Sequence, residues 1–158
     1  MPEASYTGPP PIVGMGAACV LFDAEGRVLL VRHTYGRLNW ELPGGGSELN
    51  ESPDETAIRE LREETGLDVQ LVRLTGTYFE PGPQPDHDHG PIIHFVFEAR
   101  SRDDRAPVAC PPEIGDVGWW PLDALPTPIS DFTERRIHDA AGGGPASFTR
   151  FEPRTWRE

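Results

Sequence analysis

Residues 44–67 read GGGSELNESPDETAIRELREETGL, and how this stretch folds decides the architecture. Three glycines lead into a crowd of carboxylates: Glu48, Glu51, Asp54, Glu55, Glu60, Glu63 and Glu64. Carboxylates this close repel one another unless a cation lies among them. Ser52-Pro53-Asp54-Glu55 marks a helix start. Ser52 is the N-cap, Glu55 completes a capping box, and Pro53 sits at the first helical position, where its missing N–H costs nothing. Gly66 is placed to end the helix just past its last turn. The helix expected over 52–65 is about four turns long. On it Glu60, Glu63 and Glu64 share one stripe, and Ile58, Leu61 and Thr65 share an adjacent face. The expectation is therefore an apolar side against the core and a separate, solvent-facing acidic side. A solvated surface is one reading of such a face. Against it stands the like-charged i,i+4 pair Glu60 and Glu64, which Arg59 and Arg62 relieve only in part. Three convergent carboxylates are also hard oxygen donors of the kind Mg²⁺ or Mn²⁺ takes, and the glycines let backbone carbonyls approach the same ion.

Working outward, MGAACVLF (15–22) and VLLVRH (28–33) read as strands joined by the turn DAEGR (23–27), so a hairpin is expected. RLNWELPGGG carries a short strand into the glycine loop. DVQLVRLTGTYFE (68–80) is a strand broken at Gly76, and PGPQPDHDHGP (81–91) is a long loop. IIHFVFEAR (92–100) is rich in β-branched and aromatic residues and is the clearest strand. DVGWWPL (116–122) is a further short strand. SDFTERRIHDAA (130–141) is a second helix, capped by Ser130 or Asp131 and closed by Gly142. Strands flank each helix without strict βαβ alternation, which predicts an α/β (α+β) fold, a mixed sheet with helices on its faces. The division expected is an N-terminal arm over 1–12 containing GPPP, one domain over 13–141 and a tail over 142–158.

The chain of 158 residues carries a formal charge of −12. A surface that acidic repels phosphate backbones and anionic lipid heads, which argues against polymeric nucleic acid and membranes as partners. A small anionic substrate remains compatible if a metal ion stands between it and the protein. All fourteen basic residues are Arg, so a Schiff-base lysine, a lysine nucleophile and a P-loop lysine are excluded. Cys19 and Cys110 lack metal-ligand spacing, and Cys19 lies in an apolar run as a small core residue. No apolar stretch reaches about 18 residues and no basic-then-apolar leader opens the chain, so a soluble cytoplasmic protein, monomer or homodimer, is expected.

From Gly45 the residues run Gly, five residues, Glu51, seven residues, Arg59-Glu60-Leu61, Arg62, Glu63-Glu64, Thr65, Gly66-Leu67. This resembles the Nudix box, G-x5-E-x7-R-E-U-x-E-E-x-G-U with U a bulky aliphatic, at every fixed position. WELPGGG before it and EIGDVGWWPLDALP after it look like Nudix flanks. The resemblance implies an α/β/α sandwich and metal-dependent hydrolysis of a nucleoside diphosphate linked to another moiety. It implies Glu60 and Glu64 as the principal ligands of Mg²⁺, with Mn²⁺ as a substitute, and Glu63 as a further ligand or the general base. The carbonyl of Gly45 completes the coordination sphere, Arg59 orients the carboxylates, and Glu51 supports the cluster through water or through Arg59. Glu113 stands about where some members supply a further metal-binding glutamate, and Glu98 is a weaker candidate. Substrate hints lie outside the box. Pro83 falls about where a proline accompanies ADP-ribose hydrolysis, and Asp131 stands near the base site of members that clean nucleotide pools, which points to a modified nucleoside triphosphate. His94, alternating with Ile93 and Phe95, is a candidate substrate contact. Trp40, Trp119 and Trp120 read as packing residues, and Asp86–His89 reads as a substrate-facing loop rather than a metal site. The alternative implied by the same fold is a non-catalytic nucleotide-binding or sensor module.

Overall fold

The structure, a computed structural model, describes residues 8–9, 12–83 and 89–158. Most of the arm over 1–12 and Asp86, His87 and Asp88 of the acidic loop lie outside the described residues. The elements in order are β1 (Gly14–Val20), β2 (Val28–His33), β3 (Trp40–Glu41), β4 (Gly44–Gly46), α1 (Pro53–Thr65), β5 (Val69–Glu80), β6 (Ile92–Ser101), β7 (Ile114–Trp120), β8 (Ile129–Ser130), α2 (Asp131–Ala141), β9 (Ser147–Arg150) and β10 (Trp156–Arg157).

The main sheet has the order β4-β1-β6-β5-β9, mixing antiparallel pairs with the parallel pairs β1–β6 and β5–β9. A second sheet, β3-β2-β7, is antiparallel. Side chains alternate along β1 and sort into two cores. Ala17, Cys19 and Leu21 pack with Ala57 and Leu61 of α1, while Ala18 and Val20 share a cluster with Phe132, Ile137 and Ala140 of α2. Leu61 and Ile137 are fully buried, each such burial stabilising the fold by about 1.5–3 kcal/mol. The mixed sheet between helix layers agrees with the expected α/β/α sandwich. Among the described residues no helix is long and apolar enough to cross a membrane.

Three expectations are corrected. The hairpin expected of β1 and β2 is confined to its tip: around the turn the Asp23 N–H donates to the Arg27 carbonyl, the Leu29 N–H donates to the Leu21 carbonyl and Phe22 bridges Val28, after which the two strands diverge into different sheets. Val28–Val31 are all fully buried, and this strand sits centrally between β3 and β7, which a two-stranded hairpin could not provide. The segment 142–158 is not a loose tail, because β9 extends the main sheet and β10 pairs with β8. Ser52 does take the extended N-cap conformation, but its hydroxyl makes no cap bond to the backbone. It donates instead to Glu55 Oε1 at 2.6 Å. Ser130 caps α2 as expected, accepting from the Thr133 N–H. Gly66 ends α1 with φ 73°, its N–H donating to the Arg62 carbonyl, a left-handed position that glycine takes without steric cost.

Candidate active site

The site is built where α1 meets the glycine strand β4. β4 pairs with β1 so that Gly45 faces Ala17. Two side chains of α1 hold it there: the Gly44 N–H donates to Glu64 Oε2 at 3.2 Å, and Arg59 Nη2 donates to the Gly46 carbonyl at 3.0 Å. Close approach requires glycine here. A Cβ on Gly45 would lie 2.6 Å from the Glu60 carboxylate, and one on Gly44 would lie 2.4 Å from the Ala17 carbonyl oxygen.

Arg59 organises the acids. Its Nε and Nη2 donate to the two oxygens of Glu51 at 2.7 and 2.9 Å, and its Nη1 donates to Glu60 at 3.0 Å and Glu63 at 3.1 Å. Thr56 adds a 2.6 Å bond to Glu51. Arg59 and Thr56 together hold the Glu51 carboxyl down at about 2.

Glu60, Glu63, Glu64 and Glu113 line one cavity of about 200 Å³ together with Cys110, Pro111 and Pro112. Glu113 arrives there because its loop is strapped down. The Cys110 N–H donates to the Glu64 carbonyl, and Thr34 Oγ1 donates to the carbonyls of Pro112 and Glu113. Glu64 is not on a solvent-facing stripe as its spacing suggested. It is 6% exposed and lies on the side of α1 that also buries Ala57 and Leu61. Burial, with the charges of Glu60, Glu41 and Glu113 added, pushes its carboxyl up to about 9 despite the Gly44 N–H. Burial also raises Glu60, outweighing Arg59.

Among the described residues no three His, Cys, Asp or Glu side chains converge tightly enough to hold a metal ion in their present rotamers. The reason is visible in the bonds: Glu60 and Glu63 are turned onto Arg59 and Glu64 onto Gly44. The donor set nonetheless fits a hard divalent cation. Four carboxylates border one cavity, the glycine strand leaves the space beside Glu60 that a side chain would fill, and a buried carboxyl raised to about 9 gains most from a positive neighbour.

A second cavity of about 220 Å³ runs along β4. Gly44, Gly45 and Gly46 line it, with His33, Tyr35, Glu41, His94, Phe132, Arg136 and Arg154. His94 lines this cavity, its ring edge-on to Phe132 at 5.0 Å. The other two substrate candidates are elsewhere. Asp131 Oδ1 accepts from the Thr155 N–H, and Asp131 lines neither cavity; its neighbour Phe132 does. Pro83 lies beyond the end of β5 and also lines neither. Glu98 pairs with Arg73 at 2.9 Å, away from the acidic cluster. Trp40 is buried edge-on to Trp120, and Trp119 packs against the α1-side core.

Nothing in the sequence assigns a role to Glu41, Arg136 or Arg154. Glu41 accepts from Arg136 Nη2, from the Thr133 hydroxyl at 2.9 Å and from the Leu42 N–H at 2.8 Å. Burial pushes its carboxyl up, but Arg136 and Arg154 outweigh burial and hold it below the usual range. Burial lowers His33, keeping that imidazole neutral near pH 7. Glu41 lies inside the quoted WELPGGG and Arg136 on the predicted second helix, so both stood in marked segments. Arg154 lay in the supposed tail without any signal.

A model of the NUDIX domain matches residues 13–140. A MutT-like protein of Streptomyces ambofaciens is 42% identical over 69 residues, 44% of each chain. A putative mutator protein MutT4 of Mycobacterium tuberculosis is 32% identical over 125 residues, 75% of this chain and 48% of that one. The chain therefore spans less than half the length of these relatives. Among solved structures, a UDP-X diphosphatase superposes with TM-score 0.72 at 23% identity, covering 92% of this chain and 70% of that one. The NUDIX domain of Shewanella oneidensis NrtR, complexed with ADP ribose, superposes with TM-score 0.68 at 23% identity, covering 90% and 99%. These likenesses confirm the fold. With the family model matching from the start of β1 almost to the end of α2, the chain belongs to the NUDIX domain family.

Proposed function

We propose that the protein is a pyrophosphohydrolase that cleaves a nucleoside diphosphate linked to another moiety, using Mg²⁺, with Mn²⁺ as a substitute. The observation that carries this is a pair of cavities, one bordered by Glu60, Glu63, Glu64 and Glu113 and the other lined by the β4 glycines, the aromatic rings of Tyr35, His94 and Phe132, and the charged Glu41, Arg136 and Arg154. Glu60, Glu64 and Glu113, with the carbonyl of Gly45, would hold the cation. When bound, the cation offsets the charge of the diphosphate and acidifies water. Glu63, whose side chain is 58% exposed and the most open of the three helix acids, takes the proton from the attacking water as general base. Arg59 keeps Glu60 and Glu63 on the cavity side of the helix. The rest of the substrate extends across the glycines into the second cavity, beside His94. The substrate classes compatible with the chain are ADP-ribose and a modified nucleoside triphosphate.

The test is release of phosphate, through pyrophosphatase or phosphatase coupling, from a panel of ADP-ribose, canonical and oxidised nucleoside triphosphates, dinucleoside polyphosphates, NADH and nucleotide sugars with Mg²⁺ or Mn²⁺. Strong release from one class supports the proposal and names the bond cleaved. Nucleotide binding with no release under either metal replaces it with a sensor role.

A further inference from the structure

The two cavities are joined by a short stretch of chain at the end of β2. Tyr35 and His33 line the second cavity, their rings stacked at 4.7 Å and 13°. The residue between them, Thr34, holds the loop that carries Glu113 to the first. Its N–H donates to the Glu113 carbonyl at 2.9 Å. Its hydroxyl lies 2.7 Å from the Pro112 carbonyl and 3.1 Å from that of Glu113, and shares its one hydrogen between them. The pairing of β2 with β7 sets this up. Arg32 faces Asp116 and His33 faces Ile114, so the register slips past Gly115, and a bulge of this kind re-aims the residues beside it. Glycine makes room there: a Cβ on Gly115 would come within 3.1 Å of Thr34 Cγ2.

The other side of the loop is held by α1. The last carbonyls of a helix have no partner within it. Here the Val108 N–H takes that of Thr65 at 2.9 Å, and the Cys110 N–H takes that of Glu64 at 3.1 Å. Pro111 and Pro112 have no N–H to add, so the far end of the loop depends on Thr34. This matters because the acids of the cavity are fixed by different means. Arg59 holds Glu60 and Glu63, and the Gly44 N–H holds Glu64. Glu113 is exposed, and among the described residues no hydrogen bond reaches its carboxylate. Its place beside the other acids is therefore set by its backbone, which Thr34 grips.

We infer that Thr34 is a positioning residue for the cation, its hydroxyl holding Glu113 where it can serve a divalent ion together with Glu60 and Glu64. This rests on the cation site of the hydrolase reading and deepens it: a neutral side chain outside the carboxylate set, on the segment that lines the second cavity, controls how tightly the first cavity holds its ion.

The test is calorimetric titration of Mn²⁺, with no nucleotide present, into the wild type, Thr34→Val, Thr34→Ser, Glu113→Gln and the double variant. The Val variant keeps the branched shape beside Gly115 and lacks the hydroxyl; the Ser variant keeps the hydroxyl. Thr34→Val weakens Mn²⁺ binding by about ten-fold, the lower end of what is lost when groups that orient metal ligands are changed. Thr34→Ser stays close to the wild type. In the Glu113→Gln background Thr34→Val costs nothing more, because both changes act on one ligand. Thr34→Ala, smaller and equally without a hydroxyl, gives the same loss, so the result does not hang on one variant's folding. A merely structural threonine would lower the melting temperature in EDTA and leave Mn²⁺ affinity alone, so melts accompany each titration. Unchanged affinity in Thr34→Val overturns the inference, and so does an equal loss with and without Glu113, or a Glu113→Gln variant that binds Mn²⁺ like the wild type. The expected pattern without hydrolysis of any nucleotide in the panel sustains the inference while removing the hydrolase reading, and hydrolysis with Mn²⁺ affinity indifferent to residue 34 does the reverse.

Discussion

Arg59 grips Glu51 at two points, Nε to Oε2 at 2.7 Å and Nη2 to Oε1 at 2.9 Å, and spends its remaining Nη1 on Glu60 and Glu63. The guanidinium is a planar fork, and a lysine ammonium cannot reproduce its several fixed directions. Arg59→Lys should therefore lower activity by about 10–100-fold, the range seen when residues that orient metal ligands are changed. Circular dichroism should be unaltered, since Leu61 and Ala57 still bury the helix. Activity within two-fold of the wild type would show that Arg59 orients nothing that matters.

Gly44 and Gly45 are adjacent but should fail differently. A Cβ on Gly44 meets backbone, 2.4 Å from the Ala17 oxygen and 2.7 Å from the Ala18 Cα, which cannot move aside without disturbing the sheet. Gly44→Ala should lower stability by about 1–3 kcal/mol, read from urea melts. The atoms nearest a Cβ on Gly45 are those of the Glu60 carboxylate, at 2.6 to 2.8 Å, and that side chain can rotate. Gly45→Ala should melt near the wild type and lose activity. The reverse pattern would contradict the geometry of β4.

Glu64→Gln keeps the shape of a buried side chain and removes a carboxyl whose ionised form burial disfavours. Without divalent metal, in EDTA, the variant should melt at or above the wild-type temperature. With Mg²⁺ at a hundred times Kd the wild type should gain about 2.7 kcal/mol, and the variant should gain little and turn over poorly. Equal stabilisation of both proteins by Mg²⁺ would remove Glu64 from the ligand set.

Cys19 offers a check by pH. Burial, with Glu64 adding, pushes its thiol up to about 12. Its folded pKa is thus above the unfolded value, so the stability it contributes is complete below about pH 9 and is lost as pH rises through about 12. At pH 8 the thiolate needed for alkylation is on the order of one part in ten thousand. Iodoacetamide at pH 8 should label the half-exposed Cys110 and leave Cys19 intact in the native protein, with both labelled after unfolding, as read by mass spectrometry. Rapid labelling of Cys19 in the folded state would show that this core opens.

What could be read from the chain alone was local or periodic. The ends of α1 follow from Ser52, Pro53 and Gly66 because caps and left-handed positions are set within a turn. The placing of Glu60, Glu63 and Glu64 near one another follows from the helical repeat, and the spacing of Gly45 to Leu67 was enough to name the family. The tertiary structure decided the rest, because those contacts join distant residues. Which side of α1 turns inward depends on its packing against β1, and this puts Glu64 in the core rather than in water. Glu113 joins the cluster only because Thr34 and Glu64 hold its loop. The buried ion pairs of the second cavity link Arg136 to Glu41 across 95 positions and Arg154 to Glu80 across 74. An isolated Arg near the end of a chain carries no local pattern, and its role exists only once the sheet has brought a buried carboxylate to meet it.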